Sequence, residues 1–438
     1  MNKIIVYLAL VIIVVCVFSL IFSPRHSILT SSHSHCQFPS NAPHITGTIT
    51  DFNQYSWQLF IALNWPSKSK LTGQPDCTLS LKDKQQSVWQ NYKNIKALFD
   101  NTQQTPPKWG GEAPLTLSQL TKVTAQAANL AELQQIGGWL IDQQGHPTYY
   151  EIFINQTSFN YIVENKLYDS HQLAHTRKIH FPNSSTHIKA SWRPLNLIND
   201  DLNRYITKQA DIQEFDSLGQ KTTQIKNVTL GLVGLHIATK ASGYPQWIWS
   251  TFEHIDNVPI QIVENNTVVN QPKPSIQYHY YNIHTPSSKV NQSPCLWIER
   301  PILNKPSTVF SSLNESALCQ PKENISFNTP TPLDRVTPIH EMTNEVNQYQ
   351  HENNPVNDTV LENYQLIVTQ RPSQPQHPHD PQGKPIPKLA ANITMESYIQ
   401  NTSSCIGCHS KAKLPNSQTT SDHSYLFLSI PTAAAPIQ

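Results

Sequence analysis

Charged residues are scarce in this chain. Of its 438 residues only 14% are Asp, Glu, Lys or Arg, and the formal net charge is +1, whereas ordinary soluble domains carry about 25% charged residues. No basic stripe stands out, so the composition gives no indication of nucleic-acid binding. Glycine is also sparse, with 13 residues against 33 prolines, which favours proline-set turns over glycine hinges.

The motifs of several common enzyme classes are missing as well. The sequence contains no Gly-rich phosphate loop, no GxSxG nucleophile elbow and no HExxH zinc helix. No catalytic residue is therefore assigned from motifs, and whether the protein is an enzyme stays open.

A long apolar run opens the chain. Lys3 is followed by nineteen uncharged and mostly apolar residues, Ile4–Phe22. A run of this length suits a membrane-spanning helix better than the shorter core of a cleavable signal. Residues 1–23 are therefore predicted to be a signal anchor, with a cleaved signal peptide as the alternative, and residues 24–47 a tether. In both cases the remainder of the chain is exported.

The cysteine count agrees with export. Apart from Cys16 in the apolar run and two cysteines near the C-terminus, four remain, namely Cys36, Cys77, Cys295 and Cys319. An even number in an oxidising compartment predicts two disulfides. Three pairings are possible, of which the most local joins Cys36 to Cys77 and Cys295 to Cys319. Four unpaired buried thiols are the alternative.

The pattern along the rest of the chain predicts an α+β fold with a large antiparallel sheet and peripheral helices. Helical spacing of apolar residues covers Phe52–Leu63, and Asn155 and Thr337 mark two further helix starts. Strand patterns recur at 187–195, 228–240, 246–255, 275–283 and 364–370. The predicted domains are an α+β body over 48–370, a proline-rich linker over 371–388 and a helical C-terminal segment over 389–438.

The C-terminal segment contains the string Cys405-Ile406-Gly407-Cys408-His409. Two thiols at this spacing can form thioether bonds to the two vinyl groups of one haem, and the adjacent histidine then becomes the proximal ligand of the iron. A structural zinc site would need four ligands, and no second Cys-x-x-Cys is present. A thioredoxin-type redox pair would need a strand–helix setting in a βαβ unit. The motif therefore predicts one covalently bound haem c, held by Cys405, Cys408 and His409.

With this motif in an exported chain, the protein resembles the c-type cytochromes. Four longer stretches are similar to a group of large, poorly characterised bacterial proteins described as cytochrome c family proteins: Gly231–Lys240, Trp247–Asn257, Glu362–Pro372 and Ser397–His409. The resemblance implies the cofactor and the class of protein, and it does not imply a substrate. The pattern Asp422-x-x-Tyr425-x-Phe427 is also similar to the cytochrome c-prime-beta group, whose sheet-rich domains leave the iron open.

The second axial ligand of the iron is not evident from the motif. Small cytochromes c supply a methionine many residues after it, but here only 29 residues follow His409 and none is methionine. Met395 is the first candidate, because it lies fourteen residues before His409 in a segment that could pack across the haem. A thioether ligand would raise the reduction potential relative to a bis-histidine iron, although methionine also serves as filler around an apolar macrocycle. His423, Met342 and His340 are three further candidates for this position.

Two histidines and one arginine in the body have a structural and a functional interpretation. His254 and His236 lie in strand patterns, where a hydrogen-bonded core histidine is the ordinary interpretation and an acid–base role at a haem is the functional one. Arg193 could pair with a haem propionate, and a structural arginine is its ordinary interpretation.

Together these features predict an exported monohaem c-type cytochrome that transfers electrons to an unidentified redox partner in the cell envelope. The predicted location is the bacterial periplasm, with a tether to the inner membrane through the N-terminal helix. The alternative is a haem enzyme, or a protein that binds a small gas or peroxide, because more than 330 residues precede the motif and could form an open distal pocket. A third possibility is an envelope structural or binding protein in which haem is auxiliary.

Overall fold

The computed structural model describes residues 35–68, 73–83, 85–99, 106, 108–110, 116–117, 138–217, 221–265, 267–296, 320–322, 325–376, 384–415 and 417–430. These ranges belong to one unit, His35–Gln438. The predicted membrane helix and most of the tether lie outside them. Among the described residues, no helix is long and apolar enough to cross a membrane.

The centre of the fold is a nine-stranded sheet, which confirms the predicted α+β class with a large antiparallel sheet. Its strands are β1 (Lys93–Asn94), β2 (Thr116–Leu117), β3 (Tyr149–Ile154), β4 (Thr186–Pro194), β5 (Thr207–Phe215), β6 (Lys221–Ala241), β7 (Tyr244–His254), β12 (Tyr364–Pro372) and β13 (Pro385–Ile386). They run in the order β1-β3-β4-β6-β7-β12-β13, with β5 paired to β6 and β2 to β5. Within this nine-stranded sheet only β2 and β5 pair in parallel. Two small hairpins lie apart from this sheet, formed by β8 (Ile260–Glu264) with β9 (Thr267–Gln271) and by β10 (Cys295–Leu296) with β11 (Gln320–Pro321).

Six α-helices occur in the described residues. They are α1 (Ile49–Asn64), α2 (Ile95–Phe99), α3 (Gln156–Glu164), α4 (Ser170–His175), α5 (Glu341–Glu352) and α6 (Cys405–His409). Helix α1 confirms the helix predicted over Phe52–Leu63, and it begins with a capping box in which Thr48 and Asp51 each bond the other's backbone. Asn155 caps α3 as predicted.

The two faces of the sheet differ in character because side chains alternate along each strand. Leu235 on β6 pairs with Phe252 on β7, and this face is apolar and lies under α1, where Phe60 stacks on Phe252 at 4.0 Å. His236 on β6 pairs with Lys189 on β4, and it lies on the opposite face. That second face carries the polar and aromatic side chains described below.

The C-terminal segment packs on the second face. Thr394 Oγ1 lies 2.6 Å from Ser191 Oγ on β4, and the Asn392 side-chain amide donates to Thr251 Oγ1 on β7. The backbone N–H of Ile393 donates to the buried Glu253 carboxylate at 2.7 Å. The start of the segment is therefore held by polar contacts to neighbouring strands, whereas its later residues, such as Ile406 and Phe427, pack in a hydrophobic cluster with Trp247 and Trp249.

Two secondary-structure predictions are wrong. The described part of the C-terminal segment is largely turns rather than helical, with only α6 and a 3-10 turn at Leu426–Ser429; the Asn392 side chain accepts from the Thr394 N–H, which favours a turn over a helix. Residues 275–283 form no strand. Their backbone bonds to loops instead, as in the His279 N–H to Asp256 carbonyl bond.

The predicted linker is partly incorporated into the sheet. Arg371 and Pro372 end β12 and pair with Ile386 and Pro385 of β13. The disulfide prediction is confirmed for Cys36 and Cys77, whose Cα atoms lie 5.6 Å apart in a bonded pair. The second predicted pair is not tested, because Cys319 lies outside the described residues.

Replacement of Gly234 by alanine tests how closely the C-terminal segment approaches the sheet. The new Cβ would lie 2.6 Å from Ser191 Oγ and closer still to Thr394 Oγ1, so Gly234→Ala should lower the free energy of unfolding by about 1–3 kcal/mol. Urea unfolding measures this change. Adding Thr394→Ala removes the closer of the two oxygen atoms that crowd the new Cβ. The double variant should therefore lose less stability than the sum of the single losses. Simple additivity would contradict this packing.

Candidate cofactor site

The cysteine motif forms helix α6, which is held at its N-terminus by two side chains. Ser404 caps the helix by accepting from the Gly407 N–H at 3.0 Å. The side-chain carbonyl of Gln370, on β12, accepts from the Ile406 N–H at 2.9 Å and from the Ser404 hydroxyl at 3.2 Å. Because Gln370 also donates to the Pro387 carbonyl, the motif is tied directly to the last long strand of the sheet.

A cavity lies between the motif and the second face of the sheet. Its volume is ≈ 120 Å³, and it opens to solvent. Cys405, Cys408, His409, His423, His236 and Lys189 are among the residues that line it. The structure thus brings together the three predicted haem-attachment residues and one of the predicted candidates for the second ligand, His423.

The ring of His409 is oriented by the chain that follows it. His409 Nδ1 lies 2.8 Å from the His423 carbonyl, and since a carbonyl only accepts, Nδ1 carries the proton and Nε2 carries the lone pair. The ring packs at 4.3 Å from Trp249 and 5.2 Å from Tyr425. Burial lowers the pKa of His409 to about 3, so the imidazole is neutral at ordinary pH and able to bind a metal.

Asp422 holds the segment that orients His409. Its carboxylate accepts from the Lys240 ammonium at 2.6 Å and from the Phe181 N–H at 2.7 Å, and its carbonyl accepts from Trp247 Nε1 at 2.8 Å. The Asp422 and Lys240 side chains are fully buried. Burial raises the pKa of Asp422 to about 6 and lowers the pKa of Lys240, so desolvation opposes both charges. These contacts fix the backbone immediately before His423.

The two motif cysteines are not disulfide-bonded. Burial raises the pKa of the Cys405 thiol well above its ordinary value, whereas redox-active dithiols rely on a lowered pKa. The described ranges contain a single cluster of three His, Cys, Asp or Glu residues whose ligand atoms all lie within 4.8 Å of one another. That cluster does not include Cys405, Cys408 or His409. The raised pKa of Cys405 does not favour a redox dithiol, and the three ligand atoms do not form a ready-made site for a small metal ion.

That cluster consists of His254, Asp256 and His279, all buried. The ring nitrogens of His254 bond the Arg204 carbonyl and the Asp256 N–H, and those of His279 bond Tyr205 and Asn257. The Asp256 carboxylate pairs with Arg204 at 2.7 Å. Because every ring nitrogen already has a partner, the cluster is a hydrogen-bonded core network, which is the ordinary interpretation of His254.

The remaining predicted residues are not among those that line the cavity. Met395 is fully buried and is not among the cavity-lining residues. His340 caps α5, where it accepts from the Met342 N–H. Arg193 is buried and bonds the carboxylates of Asp142 and Asp200, so it has the structural role rather than the cofactor role.

Three residues that orient the motif were not predicted from the sequence, namely Gln370, Lys240 and the Asp422 carboxylate. Asp422 stood in a recognisable pattern with Tyr425, whose hydroxyl donates to the Cys408 carbonyl at 2.8 Å. Nothing in the local sequence marks Lys240 as its partner, because the pair is separated by 182 residues.

Comparison of the chain with protein-family models, with curated protein sequences and with solved structures finds no match. The function of the site is therefore inferred from its own residues and their chemistry.

Removal of the Asp422 charge should lower the free energy of unfolding. Asp422→Asn leaves the Lys240 ammonium buried without a counter-charge, which is expected to cost about 3–5 kcal/mol of unfolding free energy. Urea unfolding followed by tryptophan fluorescence measures it. The double variant Lys240→Met/Asp422→Asn removes both charges and should recover most of the loss. A double variant as unstable as Asp422→Asn would show that the ion pair is not the cause.

Proposed function

We propose that this protein is a monohaem c-type cytochrome that transfers electrons. One haem is attached through thioether bonds from Cys405 and Cys408, and His409 is the proximal ligand of its iron. The bound group supplies a one-electron couple, and the protein sets its potential through the axial ligand, burial and hydrogen bonds.

One observation supports the proposal above the others. Both thiols and the His409 ring line the same cavity, while their three ligand atoms do not all lie within 4.8 Å of one another. A macrocycle requires this combination, because its two vinyl carbons and its iron are separate points of attachment. A zinc site would require convergence instead.

The residues around the motif fit such a group. The His423 carbonyl takes the Nδ1 proton of His409, which directs Nε2 to the metal, as carbonyl partners do for metal-bound histidines. The cavity volume of ≈ 120 Å³ is below the range of about 300–1,000 Å³ for cofactor sites, so the group would extend beyond the cavity toward solvent. An accessible edge suits exchange of electrons with a partner.

The cellular setting is also proposed. The apolar run Ile4–Phe22 supports export and a tether to the inner membrane of a bacterium, with the body in the periplasm. The Cys36–Cys77 disulfide supports an oxidising compartment. The partner would be a redox protein of the cell envelope.

Covalent attachment is tested with the exported protein produced in cells that mature c-type cytochromes. The wild type should carry the mass of one haem after denaturation with acidified organic solvent, and Cys405→Ala/Cys408→Ala should carry none. The single variants should retain one thioether, which shifts the reduced absorption bands because one vinyl group stays conjugated. Intact mass spectrometry and optical spectra measure both effects.

Met395→Leu tests the first candidate for the second axial ligand, a buried residue of the same segment that does not line the cavity. It should keep the attached haem and the wild-type reduced spectrum. If the wild type carries no covalent haem, the proposal is wrong. If the Met395→Leu spectrum changes to that of an iron that has lost a ligand, Met395 is the second axial ligand.

A further inference from the structure

His236 and Glu396 form a pair on the wall of the cofactor cavity that the motif itself does not use. His236 Nε2 lies 3.4 Å from Glu396 Oε2, and the two side chains are 15% and 16% exposed. Both residues line the cavity together with Cys405 and His409. Neither residue attaches the cofactor in the proposed function.

The polar tip of His236 has unused hydrogen-bonding capacity. Its Nε2 atom is buried and makes no hydrogen bond, since the geometry toward Glu396 is not aligned for one. This differs from His187, which lines the same cavity but whose Nε2 bonds the Ser158 hydroxyl at 3.1 Å. A buried, unsatisfied ring nitrogen is costly unless a ligand or water completes it.

Glu396 is held so that it faces His236. Its Oε2 accepts from the Asn392 N–H at 2.8 Å, within the turn that packs on the sheet. A carboxylate accepts hydrogen bonds and cannot donate them when ionised, so it favours the tautomer of His236 with the proton on Nε2. Because the contact with Glu396 is not a hydrogen bond, this one Nε2–H stays available to a ligand in the cavity.

The position of His236 relative to the motif follows from strand register. Trp249, against which His409 packs, pairs with Ala238, and His236 lies two residues further along β6 on the same face. Two residues along a strand span about 7 Å. His236 and the ring that packs on His409 therefore lie on the same face of the sheet, and both histidines line the same cavity.

We propose that His236, oriented by Glu396, donates a hydrogen bond to a small anionic or diatomic ligand bound at the metal centre of this cavity. The inference rests on the proposed haem attachment and extends it: where the bound group offers an exchangeable position, the His236–Glu396 pair would stabilise the ligand that binds there. His236 acts through the bound ligand as a hydrogen-bond donor, and it is not itself an axial ligand.

Cyanide binding to the oxidised holoprotein tests this inference by optical titration. His236→Leu removes the donor and should weaken cyanide binding about tenfold to a hundredfold. His236→Gln restores an N–H donor of similar reach and should recover part of the affinity. Glu396→Gln should weaken binding less than His236→Leu does, because it only loosens the orientation. His187→Gln, the matched control, should change the affinity less than about twofold, since Ser158 already occupies its Nε2.

The cyanide titrations distinguish failure of this inference from failure of the proposed haem attachment. Equal cyanide affinities in the wild type, His236→Leu and His187→Gln would overturn the inference while leaving covalent haem intact. A wild-type iron that binds no cyanide, together with a His236→Leu iron that does, would make His236 the second axial ligand and also overturn it. Absence of covalent haem from every variant would instead be a failure of the proposed function. The stretching frequency of carbon monoxide on the reduced iron, which a donor lowers, gives a second readout and should rise in His236→Leu.

Discussion

The contacts of Asp422 are the constraint on which the C-terminal site depends. A buried carboxylate that accepts from Lys240 and from the Phe181 N–H ties the last described residues to the sheet. The next residue, His423, presents its carbonyl to His409 Nδ1. The tautomer of His409 is thus determined by an ion pair that lies outside the motif. Desolvation opposes both charges, so the pair contributes specificity of docking more than stability.

The C-terminal segment can dock on the sheet because the two faces of the sheet carry different side chains. One face is an apolar core under α1, and stacked rings such as Phe60 and Phe252 bury the area that stabilises the body. The opposite face carries polar and aromatic side chains and receives the C-terminal segment, whose apolar residues join a second hydrophobic cluster there and which Gly234 allows to approach closely. The large body is therefore not separate from the motif, since the strands of the body form one wall of the cavity.

Sequence patterns predicted the elements whose signal is local. The spacing within Phe52–Leu63 and the alternation along β6, β7 and β12 were sufficient for the class of fold, and Cys405, Cys408 and His409 were sufficient for the motif. Contacts between distant residues could not be predicted, because strand pairing decides them. Register places His236 at the cavity, while His254 enters a core network. The expected C-terminal helix was wrong because the side chain of Asn392 supports turns instead.

The central claim is that Cys405 and Cys408 carry a covalently attached haem ligated by His409. Its most direct test is the optical spectrum of the purified exported protein, recorded oxidised and reduced, before and after extraction with acidified organic solvent. The account predicts the sharp absorption bands of a reduced cytochrome, and colour that stays with the precipitated protein. Colour that passes entirely into the solvent, or a protein with no haem absorption, would contradict it.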